Sequence, residues 1–195
     1  MATRMLPEPV IRMSQFYRAR EDGTQFRGSC GQTALAVAIT AARGMPATYE
    51  CVGELMIALT RSMIAKGIAA PNGASRLSAL AQQARDEGST VTLELPYQDP
   101  QMAHWRDILR EYAGMRPIVL QVARGEALVD AETGRRDDAG LRYHAIAVMG
   151  QSAHGYICAD SANPEVTRRF QIYPEATLVE AQPCGLLMLA LARNL

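Results

Sequence analysis

The stretch that decides the fold is "GSCGQTALAVAI" at residues 28–39, where a cysteine is followed by small and aliphatic residues almost without interruption. Ser29 is a good helix N-cap, and Gln32 follows it at the spacing of a capping box, so a helix is predicted to begin at Cys30. Because this helix is apolar on nearly every side, we expect it to lie buried in the middle of a domain. The positive end of a helix stabilises a thiolate, so Cys30 is either a buried structural thiol or a nucleophile.

The composition is that of a globular protein with one domain. Of its 195 residues 48% are hydrophobic and 21% are charged, which is enough to build a substantial core. The 20 basic and 20 acidic side chains balance, so we expect no nucleic-acid partner. The charged N-terminal stretch contains no signal peptide, and no apolar run is long enough to cross a bilayer. We therefore expect no integral membrane segment, and a protein that stays in the cytoplasm or is exported without a cleavable signal.

The cysteine and histidine spacings do not indicate a metal site. Of the four cysteines (Cys30, Cys51, Cys158 and Cys184) none form a C-x-x-C pair, and the three histidines are dispersed. We expect reduced thiols, no cofactor and no metal. Cys51 and Cys184 are interpreted as packing residues.

The rest of the chain predicts helices first and then mostly strands that form hairpins. The helix-like segments are 50–67, 75–88 and 101–114, and the strand-like segments are 89–96, 116–123, 143–150, 154–160, 167–174 and 184–192. Residues 1–24 are predicted to form an irregular arm, and residues 25–195 a single domain. This order predicts an α+β fold in which helices pack on an antiparallel sheet.

A polar segment interrupts the strands at residues 126–142. It is rich in Asp, Arg and Gly, and it leads directly into the strand that begins near His144. We expect this segment to be a mobile hairpin or loop beside the site, with little to bury.

Two residues of the predicted hairpin are suited to act on the thiol of Cys30. His144 opens an otherwise apolar strand, and Asp160 ends the next one. If these strands are joined by a turn at 150–153, His144 lies opposite residue 159 or 160. Asp160 would then accept the imidazole Nδ1–H and leave Nε2 for the thiol.

Each of these residues also has a purely structural interpretation. His144 is then a satisfied core histidine, and Asp160 caps the turn "DSANP" through its own backbone. The capping role is compatible with orienting the imidazole. Asn163 is a weaker candidate for the orienting group than Asp160.

The Cys, His, Asp order resembles the papain-like cysteine peptidases, most closely the type that processes bacteriocin leaders and its stand-alone bacterial relatives. The matching segments are Cys30-Gly31, the strand from His144 to Gly150, and Asp160. The resemblance implies an α+β papain-like fold in which a central buried helix carries the cysteine and packs on an antiparallel sheet that carries His and Asp. The family also places an oxyanion-hole glutamine about six residues before the cysteine, and Gln25 lies five before it.

The function implied by the resemblance is that of a cysteine peptidase-like thiol hydrolase. It would cleave a peptide or isopeptide bond in a protein or peptide substrate through a thioester acyl-enzyme. A role as a bacterial effector or toxin is one interpretation. The alternatives are a deamidase, a transamidase or a cell-wall amidase with the same triad, an inactive papain-like module that binds a peptide or protein, and a metal protein with the three triad residues as ligands.

Overall fold

The computed structural model describes residues 3–6, 17–46, 48–134, 143–162 and 170–192. The helices are α1 (Cys30–Arg43), α2 (Tyr49–Ala65), α3 (Leu77–Asp86), α4 (Trp105–Tyr112) and α5 (Glu175–Ala181). The strands are β1 (Arg4–Met5), β2 (Val91–Pro96), β3 (Ile118–Val122), β4 (His144–Ser152), β5 (Gly155–Asp160), β6 (Gln171–Tyr173) and β7 (Pro183–Leu189). Two short 3-10 helices lie at Pro100–His104 and Gly125–Ala127. Within the described ranges, no helix combines the length and the apolar character needed to cross a membrane.

The strands form one antiparallel sheet. Its order is β2-β7-β3-β4-β5-β6, and β1 pairs with the far end of β4, where Arg4 lies opposite Gln151. Every neighbouring pair of strands is antiparallel. The predicted α+β class with an antiparallel sheet is therefore confirmed.

Both faces of the sheet are covered, so the central strand β4 is apolar on both sides from Ala145 to Met149. Ala145 and Ala147 face the layer formed by α1, α2 and α3, whereas Ile146 and Val148 face α4 and α5 on the other side. The middle of α1 is fully enclosed, as the apolar run predicts, and burying each such aliphatic side chain contributes roughly 1.5–3 kcal/mol. The helix that carries Cys30 is thus held rigidly against the sheet.

The start of α1 is predicted at the right residue for the wrong reason. The Ser29 hydroxyl donates to the Phe26 carbonyl at 2.9 Å and makes no capping bond, so the predicted capping box is wrong. Gln32 does not reach back to Ser29, because its side-chain Nε2 donates to the Gly73 carbonyl at 2.6 Å. A buried tertiary partner has replaced the local one. The helix ends as expected, with Gly44 in the left-handed region at φ 61°.

The hairpin β4–β5 has a different register from the predicted one. Ser152 pairs with Gly155, so the turn is two residues long and lies further along the chain than 150–153. Asp160 pairs with Ile146 rather than with His144. His144 lies two residues beyond that pair and therefore on the same face of the strand as Ile146.

The described part of the polar segment is packed rather than loose. Leu128 is fully buried and Asp130 is 5% exposed. The Asp130 carboxylate accepts the backbone N–H of Ile172 at 3.0 Å. The expectation that this segment buries little is therefore wrong for 126–134, because an aspartate that accepts a strand N–H can lie inside. Residues 135–142 lie outside the described residues.

Candidate active site

A cleft of about 1130 Å³ opens where the N-termini of α1 and α3 meet the ends of four strands. Its walls come from six short segments, around Cys30, Ser75, Tyr97, Val122, His144 and Pro183. Cys30 is half-buried, whereas His144 is only 2% exposed. The cleft thus brings a partly accessible thiol next to a buried imidazole.

Cys30 is the first residue of α1, and its position gives the sulfur an electropositive surrounding. The first turn of α1 contains no acidic residue, so nothing on the helix itself offsets the partial positive charge of its N-terminus. That charge favours a thiolate over a thiol. Gly31 leaves α1 close to α3, since a Cβ there would lie 3.0 Å from Leu80 Cδ1.

The imidazole of His144 joins the other two predicted residues. Its Nε2 donates to Asp160 Oδ1 at 2.7 Å, and both side chains are almost wholly buried. The Cys30 side chain is close enough to the same imidazole to raise the pKa of His144. The predicted assignment of the ring nitrogens is wrong, because in the observed register the carboxylate meets the Nε2 side and the Nδ1 side is left for the thiol.

The electrostatics of this trio favour an ion pair. Burial by itself would lower the pKa of His144, but the negative charges of Asp160 and Cys30 outweigh it and hold that pKa well above its usual range. Burial by itself would raise the pKa of Asp160, but the imidazolium and the hydrogen bonds to the carboxylate lower it. The imidazole is thus held protonated and can donate its proton to a leaving group.

The Asp160 carboxylate is held by more than the imidazole. The Tyr173 hydroxyl donates to Oδ2 at 2.6 Å, and the backbone N–H of Ala162 donates to Oδ1 at 2.9 Å. The bond to Ala162 is the turn-capping bond considered above, and it coexists with the bond to His144. Asn163, the weaker candidate for the orienting group, lies outside the described residues. Tyr173 was missed, because a tyrosine in the short strand "QIY" gives no sign of a polar partner.

The structure does not bring the predicted oxyanion donor to the cleft. Gln25 is half-buried and does not line the wall that holds Cys30. Gln121 of β3 does line it, and an added Cβ at the neighbouring Gly185 would lie 3.0 Å from its amide oxygen. A glutamine inside the otherwise apolar strand "IVLQV" is the sequence signal that marks Gln121. The role of Gln25 stays a prediction.

The other cysteines differ in their surroundings. Cys158 is fully buried in the core, where burial and the nearby Asp160 charge raise its pKa well above the usual value. Cys51 is exposed, so its interpretation as a packing residue is wrong. Cys184 is half-buried and also lines the cleft. All four thiols are free. In the part of the chain that the structure describes, no group of three or more His, Cys, Asp or Glu side chains is arranged to hold a metal ion.

A buried helix that begins with a cysteine and packs on an antiparallel sheet with histidine and aspartate defines a papain-like fold. The structure is similar to a crystal structure described as a "putative C39-like peptidase" from Bacillus anthracis, with a TM-score of 0.58, 12% identity and 99% of each chain covered. The Pseudomonas avirulence protein AvrPphB matches with a TM-score of 0.34 and 11% identity over 83% of this chain and 89% of its own. No protein-family model and no curated protein sequence matches the chain. At this identity the likeness to the C39-like structure extends to the fold.

Proposed function

We propose that the protein is a thiol hydrolase that cleaves an amide bond in a protein or peptide. The observation that carries the proposal is the buried His144–Asp160 pair, whose imidazole lines the same cleft as the half-buried Cys30 at the N-terminus of α1. The Cys30 thiolate attacks the carbonyl carbon and forms a thioester as the C–N bond breaks. The His144 imidazolium gives its proton to the leaving amine. The neutral imidazole then takes a proton from water, whose oxygen displaces the sulfur and releases the acid.

The resemblance of the sequence to the bacteriocin-leader-processing type and the similarity of fold to the C39-like structure over nearly the whole chain support a stand-alone peptidase of that type. In this proposal residues 25–195 form one catalytic domain, and residues 1–24 are an arm whose strand β1 pairs with β4 of that domain. Action inside the cytoplasm and action after export without a cleavable signal are both compatible with it, and so is an effector or toxin role.

Turnover of a diverse peptide library by the full chain tests the proposal. Mass spectrometry of the products distinguishes cleavage from deamidation of glutamine and from transamidation. Cys30→Ala and His144→Ala should each abolish cleavage, and the double variant should be no worse, because residues that act as a unit are strongly non-additive. A folded His144→Ala variant with full activity would contradict the proposal.

The turnover of an Asp160→Asn variant separates two effects of Asp160: its orientation of the imidazole and its negative charge. Asp160→Asn should reduce turnover by less than His144→Ala does, because the amide oxygen can still accept from His144 and from Ala162. The Tyr173 hydroxyl can then accept from the new amide instead of donating to the lost carboxylate oxygen. Loss of the negative charge would still reduce the electrostatic stabilisation of the His144 imidazolium.

The second candidate is a papain-like module that binds a peptide without turning it over. The observation that favours it is the position of Gln25, which does not line the cleft wall beside the thiol. Two measurements together distinguish the candidates. One is turnover of the peptide library, and the other is labelling of the thiols with iodoacetamide followed by peptide mapping. An active site predicts that Cys30 reacts fastest, although Cys51 is the exposed thiol. Slow labelling of Cys30 together with no turnover would favour the binding module.

A further inference from the structure

The cleft beside the thiol carries positive charge without any compensating acid. Arg27 and Arg76 line it, and within the described ranges no Asp or Glu does. Neither guanidinium pairs with a carboxylate in the part of the chain that the structure describes. This contrasts with Arg61, Arg85 and Arg110, each of which has a carboxylate partner within 3 Å.

The backbone places the two arginines on the same wall as Cys30. The Gly28 N–H donates to the Asn72 carbonyl at 2.8 Å, which ties the segment before Cys30 to the turn that leads into α3. A Cβ at Gly28 would lie 3.0 Å from that carbonyl oxygen, so the close approach favours glycine. Arg27 lies directly before Gly28 on one side of this contact, and Arg76 lies at the end of the turn on the other side.

The N-terminus of α3 adds to the positive field of this wall. Arg76 is the N-cap residue, and its side chain makes no capping hydrogen bond. The first turn of α3 contains no acidic residue, and Leu77 and Ser78 of that turn line the cleft. The partial positive charge of the helix therefore acts in the same direction as the two guanidinium groups.

The size and rim of the cleft fit a peptide rather than a small anion. At about 1130 Å³ the cleft exceeds the range typical of small-molecule sites. Tyr97 and Tyr143 line it with 75% of each residue exposed. Exposed aromatic rings in a concave surface provide packing area for an extended chain.

We infer that the cleft selects peptides that present a carboxylate close to the bond attacked by Cys30, and that Arg27 and Arg76 bind this carboxylate. A guanidinium binds a carboxylate with two parallel hydrogen bonds, so an acidic side chain or a free C-terminus matches the wall in charge and in shape. The inference rests on the proposed function, in which Cys30 is the nucleophile, but the charge preference of the cleft can be measured without turnover.

Alkylation of Cys30 gives that measurement. Iodoacetate carries a carboxylate and iodoacetamide is its neutral counterpart, so the ratio of their rate constants at Cys30 reports attraction of an anion to the cleft. Arg27→Gln and Arg76→Gln should each lower this ratio by about two- to fivefold, the range of a solvent-exposed ion pair. Arg18→Gln, at an exposed arginine that does not line the cleft, is the matched control and should leave the ratio unchanged. An unchanged ratio in both cleft variants overturns the inference.

Peptide cleavage provides the second arm and identifies the source of the carboxylate. One set of peptides has internal Asp or Glu and blocked termini, a second has no acidic side chain and a free C-terminus, and a third is neutral throughout. Preferential cleavage of the first or second set, reduced in Arg27→Gln and Arg76→Gln, supports the inference. Cleavage without any preference overturns it while the proposed function stands. A lowered alkylation ratio without cleavage of any set supports the carboxylate site and contradicts the hydrolase.

Discussion

The surroundings of His144 determine its protonation state. Burial works against its positive charge, but Asp160 and Cys30 together outweigh burial and raise the pKa. Cys30→Ala removes one of these two partners, so the pKa of His144 should fall relative to the wild-type protein. An NMR titration of the imidazole signals measures the shift, with the exposed His104 and His154 as internal references. An unchanged titration midpoint would mean that the thiol and the imidazole do not interact.

Tyr173 is expected to act on the imidazole through Asp160. Tyr173→Phe removes the 2.6 Å hydrogen bond to the buried carboxylate, which should lower the unfolding free energy by about 1.5–3 kcal/mol. Because this hydrogen bond helps to lower the pKa of Asp160, its loss should raise that pKa. The variant should then lose stability at a higher pH than the wild-type protein as the solution is acidified. Urea unfolding across acidic pH measures both effects.

The control for this variant is Tyr156→Phe. Tyr156 is also buried, but its hydroxyl makes only a 3.5 Å contact, with Glu175. If both variants lose the same stability and show the same acid profile, Tyr173 has no special relation to Asp160.

Side-chain chemistry explains which residues of the site could be predicted. Cys30, His144 and Asp160 are reactive or polar groups at the ends of apolar segments, and the structure brings these three together. Tyr173 could not be predicted in the same way, because its contact depends on the pairing of β5 with β6, which joins segments separated by residues 163–169. The choice of Nε2 over Nδ1 depended on the hairpin register, which the sequence did not specify.

The two-residue strand β1 depends on a glycine in β4. A Cβ at Gly150 would lie 2.5 Å from the Arg4 carbonyl oxygen, and that neighbour is backbone. Gly150→Ala should therefore push β1 from the sheet and lower the unfolding free energy by roughly 1–3 kcal/mol, the usual cost of overpacking. Hydrogen exchange at the Leu6 amide, which donates to Met149 at 3.0 Å, should become faster.

The adjoining turn provides a control for this substitution. Ala153→Ser enlarges an exposed side chain three residues away and should leave both measurements within the range of ordinary surface changes, about 0.5 kcal/mol. Slow Leu6 exchange and unchanged stability in Gly150→Ala would show that β1 tolerates the added methyl group.

Elements with a long periodic pattern were predicted, and the short ones were not. The 14 residues of α1 and the nine of β4 each have an apolar pattern that identifies them. The seven-residue helix α5 was missed because so short a segment between two strands shows less than two full turns of periodicity. The predicted helix over 101–114 begins as a 3-10 helix with Pro100 near its start, and only its second part is α-helical.

The two layers meet at the site, so the whole packing arrangement determines its geometry. Cys30 belongs to the helical layer, whereas His144 and Asp160 belong to the sheet. The face of the sheet under α1 is rich in alanine, and β4 contributes Ala145 and Ala147 to it. These small side chains let the helix approach the sheet closely. A shift of either layer would separate the thiol from the imidazole without changing Cys30, His144 or Asp160.

The buried ion pair should make the stability of the whole molecule depend on pH in both directions. The pKa of His144 is raised on folding, so its stabilising contribution is fully present below the usual value of 6.5 and is lost as the pH rises through the folded pKa. The pKa of Asp160 is lowered, so its contribution is present above 3.8 and is lost as the pH falls through the folded pKa. The pair therefore stabilises most between these two usual values.

The variant to compare carries His144→Gln together with Asp160→Asn. It removes both charges at once, so neither is left buried without its partner, which would add a large penalty of its own. The difference in unfolding free energy between wild-type protein and variant should be largest between about pH 4 and pH 6.5, and it should decline toward both acid and alkaline pH. Urea unfolding at closely spaced pH values gives this difference directly, since the other titrating groups are common to both proteins. A difference that stays constant, or that grows as the pH rises above 6.5, would mean that Asp160 and Cys30 do not hold His144 as an imidazolium.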